Sequence, residues 1–401
     1  MVSKNRKIFF FSLSVLVVFA LFTVSIVLQK SGAKKDDMSV DNAQEIYMSD
    51  YDQFWKLLRK EFPLYDYYNA EGMADELYYK YKNTVLNSNM DDVAFENILR
   101  DICRSFENNC HLDVLSKDMY LKYINGLLFE SEVFPVQTKE ILYSHDLNEM
   151  YSDNADEKND TVKDLDDNII FTYYEETETL VIKIRSFDHI YEDADAYKIS
   201  NAKEKYKSVK NIVIDVTGNT GGSTSYWVNN IVKPFGGHYE YISEEIIVDN
   251  ETNKRAYPDY FSDSFAIEPV YMFTKRFEKK VIIDSPITEW SEKKKWVLID
   301  TACISASDEF ASFCQKSDWA YLLGYTTRGT GIGETPLLFK LDNTGIIISI
   351  SGISGYNKDG TLNCLYGTFP DYPSIKGETP LETYKRIQKE DCDEVHSRTG
   401  R

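Results

Sequence analysis

The sequence predicts an α/β protein with a helical N-terminal region, and three observations carry that reading. Short, fully apolar strands alternate with helical stretches over the second half of the chain, the pattern of a sheet covered on both faces. Residues 44–115 instead repeat their apolar positions at helical spacing. An uncharged run, Ile8 to Leu28, precedes both and is long enough to cross a bilayer core.

That run is flanked by Lys4, Arg6 and Lys7 on one side and by Lys30, Lys34 and Lys35 on the other, so the basic residues do not fix its orientation. A seven-residue head is most simply left in the cytoplasm. Residues 1–35 are then a signal anchor of a single-pass membrane protein, with residues 36–401 extracytoplasmic. Cleavage near Ser31-Gly32-Ala33, giving a secreted protein, and a buried hydrophobic helix are the alternatives.

Residues 36–115 read as a helical subdomain. One helix carries Phe54, Leu57 and Leu58 and stops before Pro63; a second runs from about Met73 to Tyr81. A third places Phe95, Ile98, Leu99, Ile102, Cys103 and Phe106 on one face, with Ser88 or Asn89 as its cap. Residues 116–170 are a connecting segment, and its part from 146 to 168 is so rich in acids that it reads as a solvated linker. Residues 171–385 hold the α/β core. Its strands are Thr179–Phe187, Asn211–Val216, Trp296–Asp300, Ala320–Gly324 and Gly345–Ile350; its helices lie around Ala194–Tyr206, Ser225–Val232 and Asp308–Lys316. A polar tail, residues 386–401, follows.

Composition excludes several functions. A formal net charge of −20 argues against nucleic acid, whose binding needs lysine and arginine to displace counterions. Neither CxxC, HExxH nor a Cys/His finger spacing occurs, so no metal site and no cofactor is predicted. The six cysteines permit disulfides without fixing a pairing, and Cys103 and Cys314 fall on apolar helical positions, where buried free thiols are expected.

Three distant segments have the character of active-site parts. In NIVIDVTGNTGGS, residues 211–223, a buried strand ends in a loop whose glycines leave backbone amides open to a developing negative charge. In residues 296–316 a strand meets a small-residue turn and a helix, placing Ser305 near a helix N-terminus, with Ser307 the expected N-cap. In ENNCHLDV, residues 107–114, His111 follows directly on the amphipathic helix. A serine nucleophile needs a base that titrates near neutrality, and His111 has the most suggestive setting of the five histidines.

In this order the segments resemble the tail-specific, or C-terminal processing, serine peptidase family, in the broad sense that includes the tricorn-core and interphotoreceptor retinoid-binding branches. The family's helical opening and "Asp-Gly-His" segment are matched by DYDQFWKLLRKEFPLYD and NNCHLDV. Its strand-and-glycine element appears with Asp215, Asn219, Gly221 and Gly222, and its nucleophile turn as Ser305-Ala306-Ser307-Asp308. "Gly-x-x-Thr-x-Gly" appears as Gly324, Thr327 and Gly329, and the closing element as Asp359-Gly360 and Gly367 to Asp371. The resemblance implies a ClpP/crotonase-like β-β-α core and serine-type hydrolysis of peptide or protein substrates. Ser305 would be the nucleophile, His111 the general base, and Gly221, Gly222 and Ala306 the oxyanion hole.

Departures from the family pattern bear on mechanism. No lysine occurs between Ser317 and Phe339, and Thr330 stands at the position of the lysine used by Ser–Lys members, so a dyad of that kind is excluded. Cys110 replaces the serine that accompanies the histidine in the tricorn-like branch. Cys364, beside Asn363, replaces its glutamate, leaving Glu334 as a candidate to orient His111. Thr217 replaces the usual arginine. No PDZ domain is evident between His111 and Thr179. These changes motivate a second reading, a catalytically inactive relative that binds peptide or an apolar ligand at the cell surface. An acyl-CoA enzyme of the crotonase type is disfavoured because CoA is not expected outside the membrane.

Overall fold

The structure is a computed structural model that describes residues 40–129, 134–147, 168–261, 268–271 and 274–399. The apolar run Ile8–Leu28 and most of the acidic segment 146–168 lie outside these residues. Among the described residues no helix is long and apolar enough to cross a membrane.

The N-terminal region is built on helices α1 (Val40–Glu61), α2 (Met73–Asn87) and α3 (Asp92–Ser105). The six apolar positions expected on one face of α3 and at its end, Phe95 to Phe106, are all buried. Its cap differs from the expected one. The Asp91 carboxylate accepts from the Ala94 amide at 2.7 Å, while the Ser88 hydroxyl instead donates to the Thr84 carbonyl at the end of α2. Trp55 and Phe106 meet edge to face at 6.2 Å within an aromatic core. That core is continuous with strands of the second half of the chain, including Ile246, Leu337, Ile348, Ile350 and Ile353. The expected helical subdomain therefore shares its core with the rest of the protein.

A two-residue strand, β1 (Asp113–Val114), leaves the helical region. The main sheet has six strands: β2 (Ile169–Tyr174), β3 (Thr179–Ile184), β4 (Asn211–Asp215), β8 (Lys294–Ile299), β9 (Tyr321–Gly324) and β13 (Tyr372–Pro373). Their order is β13-β9-β8-β4-β3-β2, parallel except for antiparallel β2. Alternate side chains serve the two faces, as a covered parallel sheet requires. Leu180, Ile182, Ile212, Ile214, Val297 and Ile299 pack with helices α4 (Glu192–Lys205) and α5 (Ala306–Lys316). Val181, Val213, Trp296, Leu298 and Leu323 pack on the opposite face with Tyr384 and Ile387 of helix α7 (Pro380–Thr399). The expected polar tail thus begins inside α7, which continues to Thr399.

Two smaller antiparallel sheets complete the fold. One is built on the long hairpin of β5 (Gly237–Val248) and β7 (Thr274–Ser285), flanked by β6 (Glu268–Tyr271) and β12 (Ile353–Gly355). The other joins β10 (Leu337–Lys340), β11 (Ile347–Ile350) and β1, with Asp113 opposite Ser349. Its β1–β11 pairing carries the chain just after His111 onto the α/β half. The loops that follow parallel strands β4, β8 and β9 all emerge at carboxyl ends of adjacent strands, the usual place for a site on an open α/β sheet.

Candidate active site

Ser305 ends the loop after β8 and sits at the N-cap position of α5. Its backbone has φ 58° and ψ −131°, a region that residues with a side chain rarely adopt and that costs of order 1–3 kcal/mol. Its hydroxyl makes no capping hydrogen bond. Ser307, the expected cap, lies within the first turn. Its Oγ accepts from the Ile304 amide at 2.9 Å and lies 2.7 Å from the Asn219 carbonyl, to which it donates. Ser307 therefore ties the serine turn to the glycine loop and leaves Ser305 displayed.

The glycine loop comes into direct contact with that turn. A Cβ on Gly221 would stand 2.7 Å from the Ile304 carbonyl oxygen and 3.0 Å from both the Ala306 nitrogen and the Ser305 Cβ, so only glycine fits. The three expected oxyanion donors are not equivalent. The Gly221 amide is taken up by the Asn219 side-chain oxygen at 2.8 Å, which corrects the expectation that it is free to serve. The amides of Gly222 and Ala306 have no partner among the described residues. Asn219 is buried and also donates to the Ile184 carbonyl, so it fixes the loop from within.

Asp308, read from sequence as an ordinary first-turn acid, proves to be the organiser of the site. Its carboxylate is buried and accepts from Thr327 Oγ1 at 2.5 Å, Thr368 Oγ1 at 2.8 Å and the Gly331 amide at 2.9 Å. Burial pushes its pKa up, against these hydrogen bonds. Asn363 joins the network, accepting from the Gly331 amide and donating to Asn357 and Thr368. The loop from Thr327 to Gly331 is thereby held against the nucleophile turn, and the Gly329 carbonyl accepts from the Ser305 amide at 3.3 Å. Gly329 itself (φ 87°) packs so closely on the Asn363 carbonyl that a Cβ would lie 2.3 Å from it.

His111 reaches the same loop from the helical region. Glu107, Asn108, Cys110 and His111 all have φ between 52° and 58°, so the turn after α3 is a succession of left-handed residues. The Cys110 carbonyl accepts from the Ser351 amide at 2.8 Å, and β1 then pairs with β11. The imidazole faces the Thr330 backbone, next to the Gly329 carbonyl that holds Ser305. His111 and Ser305 therefore flank one short stretch of loop but are not hydrogen-bonded to each other. Burial lowers the His111 pKa, which keeps the ring neutral and able to accept a proton at neutral pH.

Of the supporting candidates, Glu334 is placed elsewhere. It pairs with Lys279 Nζ at 2.8 Å and accepts from the Tyr260 hydroxyl, so it does not orient His111. The imidazole faces backbone at Thr330 rather than a carboxylate, which no side-chain pattern in the sequence could reveal. Cys110 and Cys364 are buried side by side. Thr217, in the position of the expected arginine, accepts from Lys183 Nζ at 2.6 Å, and Lys183 also pairs with Asp215 at 3.0 Å, so a cation reaches this loop from β3 instead. One turn into α5, Glu309 accepts from Thr224 Oγ1 and Trp227 Nε1, and burial pushes its pKa up to about 7. Among the described residues no cluster of side chains suited to a metal ion is present.

No curated protein matches the sequence. Solved structures match the fold. A candidate peptidase from Parabacteroides merdae ATCC 43184 superposes with a TM-score of 0.53 at 15% identity, covering 85% of this chain and 96% of that one. Mature CPAF complexed with lactacystin superposes with a TM-score of 0.57 at 11% identity, covering 88% and 98%. Residues 178–374 match the model of peptidase family S41, a span that holds the glycine loop, Ser305, Asp308 and Asn363 but begins after His111. The chain therefore carries a peptidase family S41 domain and is a relative of the tail-specific peptidases that its motifs resemble.

Proposed function

We propose that this protein is a membrane-anchored serine-type peptidase, with residues 36–401 on the extracytoplasmic side and a ClpP/crotonase-like core that hydrolyses peptide bonds. Ser305 attacks the scissile carbonyl, His111 takes its proton and then returns it to the leaving amine, and the Ala306 and Gly222 amides receive the oxyanion. The observation that carries this reading is the strained Ser305 backbone at the start of α5, packed on Gly221 and tied to the same loop as a half-buried imidazole that desolvation keeps neutral. The Thr330 carbonyl supports the base in place of a carboxylate, because accepting the imidazole N–H leaves the other ring nitrogen free to act. Contact between Ser305 and His111 then forms when substrate binds, since hydrogen bonds in unliganded active sites are often loose.

The test is hydrolysis of a mixture of unmodified peptides by the full chain in detergent micelles, with products read by mass spectrometry. Cleavage that disappears in Ser305→Ala supports the peptidase. A folded wild type that cleaves nothing, yet binds peptides, supports the inactive binding protein instead.

A further inference from the structure

Behind His111 lies a pair of thiols that this mechanism does not use. Cys110 immediately precedes His111, and Cys364 is the second residue of the short helix α6 (Asn363–Tyr366). Both are buried in the cluster shared by the helical region and the small sheets. The Ser354 hydroxyl on β12 donates to Cys364 Sγ at 2.8 Å, with Cys110 beside them. The turn that carries Cys110 packs against α6, which sets the two thiols side by side. Cys103, Cys303 and Cys314 are buried too, but among the described residues none of them meets a second cysteine.

We propose that Cys110 and Cys364 form a redox-active pair that closes to a disulfide, linking the turn that carries His111 to the helix that carries Asn363. The two sulfurs are not alike. Burial works to raise the Cys364 pKa, but the hydrogen bonds from Cys110 and Ser354 outweigh it and hold this thiol below its ordinary range. Burial pushes Cys103, Cys303 and Cys314 up instead, and Cys110 as well. Cys364 is therefore the sulfur that reacts first.

The oxidant that fits a closed site is a peroxide close to water in size. The Cys364 sulfur attacks one oxygen of hydrogen peroxide, the O–O bond breaks, and the departing hydroxide leaves as water with the thiol's proton. The sulfenic acid so formed is attacked by Cys110; the S–S bond forms, the S–O bond breaks, and a second water carries off the Cys110 proton. Two thiols lose two electrons and two protons, and one peroxide becomes two waters. Closure ties residue 110 to α6, so the freedom of the adjacent imidazole to turn toward Ser305 depends on the redox state. The cross-link stands on the cysteine geometry alone; its effect on hydrolysis rests on the function proposed above.

The experiment uses the reduced, desalted full chain. It is exposed to hydrogen peroxide, denatured, alkylated at any remaining thiols and digested without reductant. The expected result is a Cys110–Cys364 linked peptide that replaces most of the two alkylated peptides and is reversed by dithiothreitol. Cys110→Ser should stop at a Cys364 sulfenic acid that dimedone captures, whereas Cys364→Ser should leave Cys110 unreacted. The linked protein should also melt at a higher temperature, because the bridge constrains the unfolded chain. Both thiols alkylated after peroxide, oxidation of Cys364 to sulfinic acid without a link, or bridges to other cysteines would each overturn the proposal. Peptide hydrolysis before and after oxidation is read separately, so the presence or absence of the cross-link is decided even in a protein that cleaves nothing.

Discussion

The two sides of the candidate site are built in different ways. The serine side rests on buried polar groups: Asp308, Thr327, Thr368, Asn363, Asn219 and Ser307 bind one another or the backbone, and each loop is pinned by at least two of them. The histidine side is a turn rich in left-handed residues at the end of α3, held by hydrogen bonds between Ser351 and Cys110 and between Asn109 and Tyr68, a two-residue strand and the contact with Thr330. The family match covers the first side and stops short of the second. The contrast teaches that the nucleophile and its oxyanion donors are preorganised within the α/β core, while the base is delivered by a separate element.

The largest effects should come from the chemical groups themselves. Ser305→Ala is expected to lower kcat/KM for peptide hydrolysis by about 10³-fold or more with no loss of fold. His111→Ala should cost on the order of 10²–10⁴-fold, the usual range for a general base. If His111→Ala hydrolyses peptide as fast as the wild type, the base side of the comparison is wrong.

Next comes the network that makes the serine side rigid. Asp308→Ala leaves two hydroxyls without their acceptor in a buried position, and leaves the Gly331 amide with Asn363 alone. It should lower stability by roughly 3 kcal/mol, read from denaturant midpoints at unchanged slope. A near-neutral Asp308→Ala would show that the loop is held by packing alone.

The pH dependence separates the sides more gently. Burial lowers the His111 pKa below its ordinary 6.5, so the acid limb of kcat/KM should have its midpoint below that value. The linkage has the same sign. As pH falls below 6.5 the unfolded chain protonates this histidine first, so its contribution to stability is present above 6.5 and lost on acidification. Glu309, with a pKa of about 7, would add a second inflection that Glu309→Gln removes while leaving the acid limb in place.

The smallest predicted effect probes the strained turn. Glu107 is exposed, with φ 58°, one residue past the cap of α3, where glycine is the favoured residue. Glu107→Gly should stabilise the protein by about 0.5–1 kcal/mol with activity unchanged. Destabilisation by that change would mean the left-handed turn is not under strain.

Much of this was legible in the sequence, and the failures have physical reasons. Fully apolar segments such as NIVID and WVLI announced the parallel sheet because both of their faces are covered. The β5–β7 hairpin was missed because its alternation is masked by charges that pair across strands, as Glu240 does with Lys280 at 2.7 Å. Ser305, Ala306 and the glycines were found because steric demand restricts those positions to a few residue types. Asp308 was passed over because a buried acid and a solvated first-turn acid look alike in one dimension. Glu334 is the expected partner of His111 because a carboxylate usually fills that role, whereas Glu334 pairs with Lys279 and the imidazole faces the backbone of Thr330.

The most direct measurement is the reaction of the full chain with a fluorophosphonate, with the adduct located by mass spectrometry in the wild type and in His111→Ala. The account predicts one adduct on Ser305 Oγ, formed faster as pH rises through the His111 pKa and nearly lost without the imidazole. A folded wild type that stays unlabelled, or one labelled equally well without His111, would contradict it.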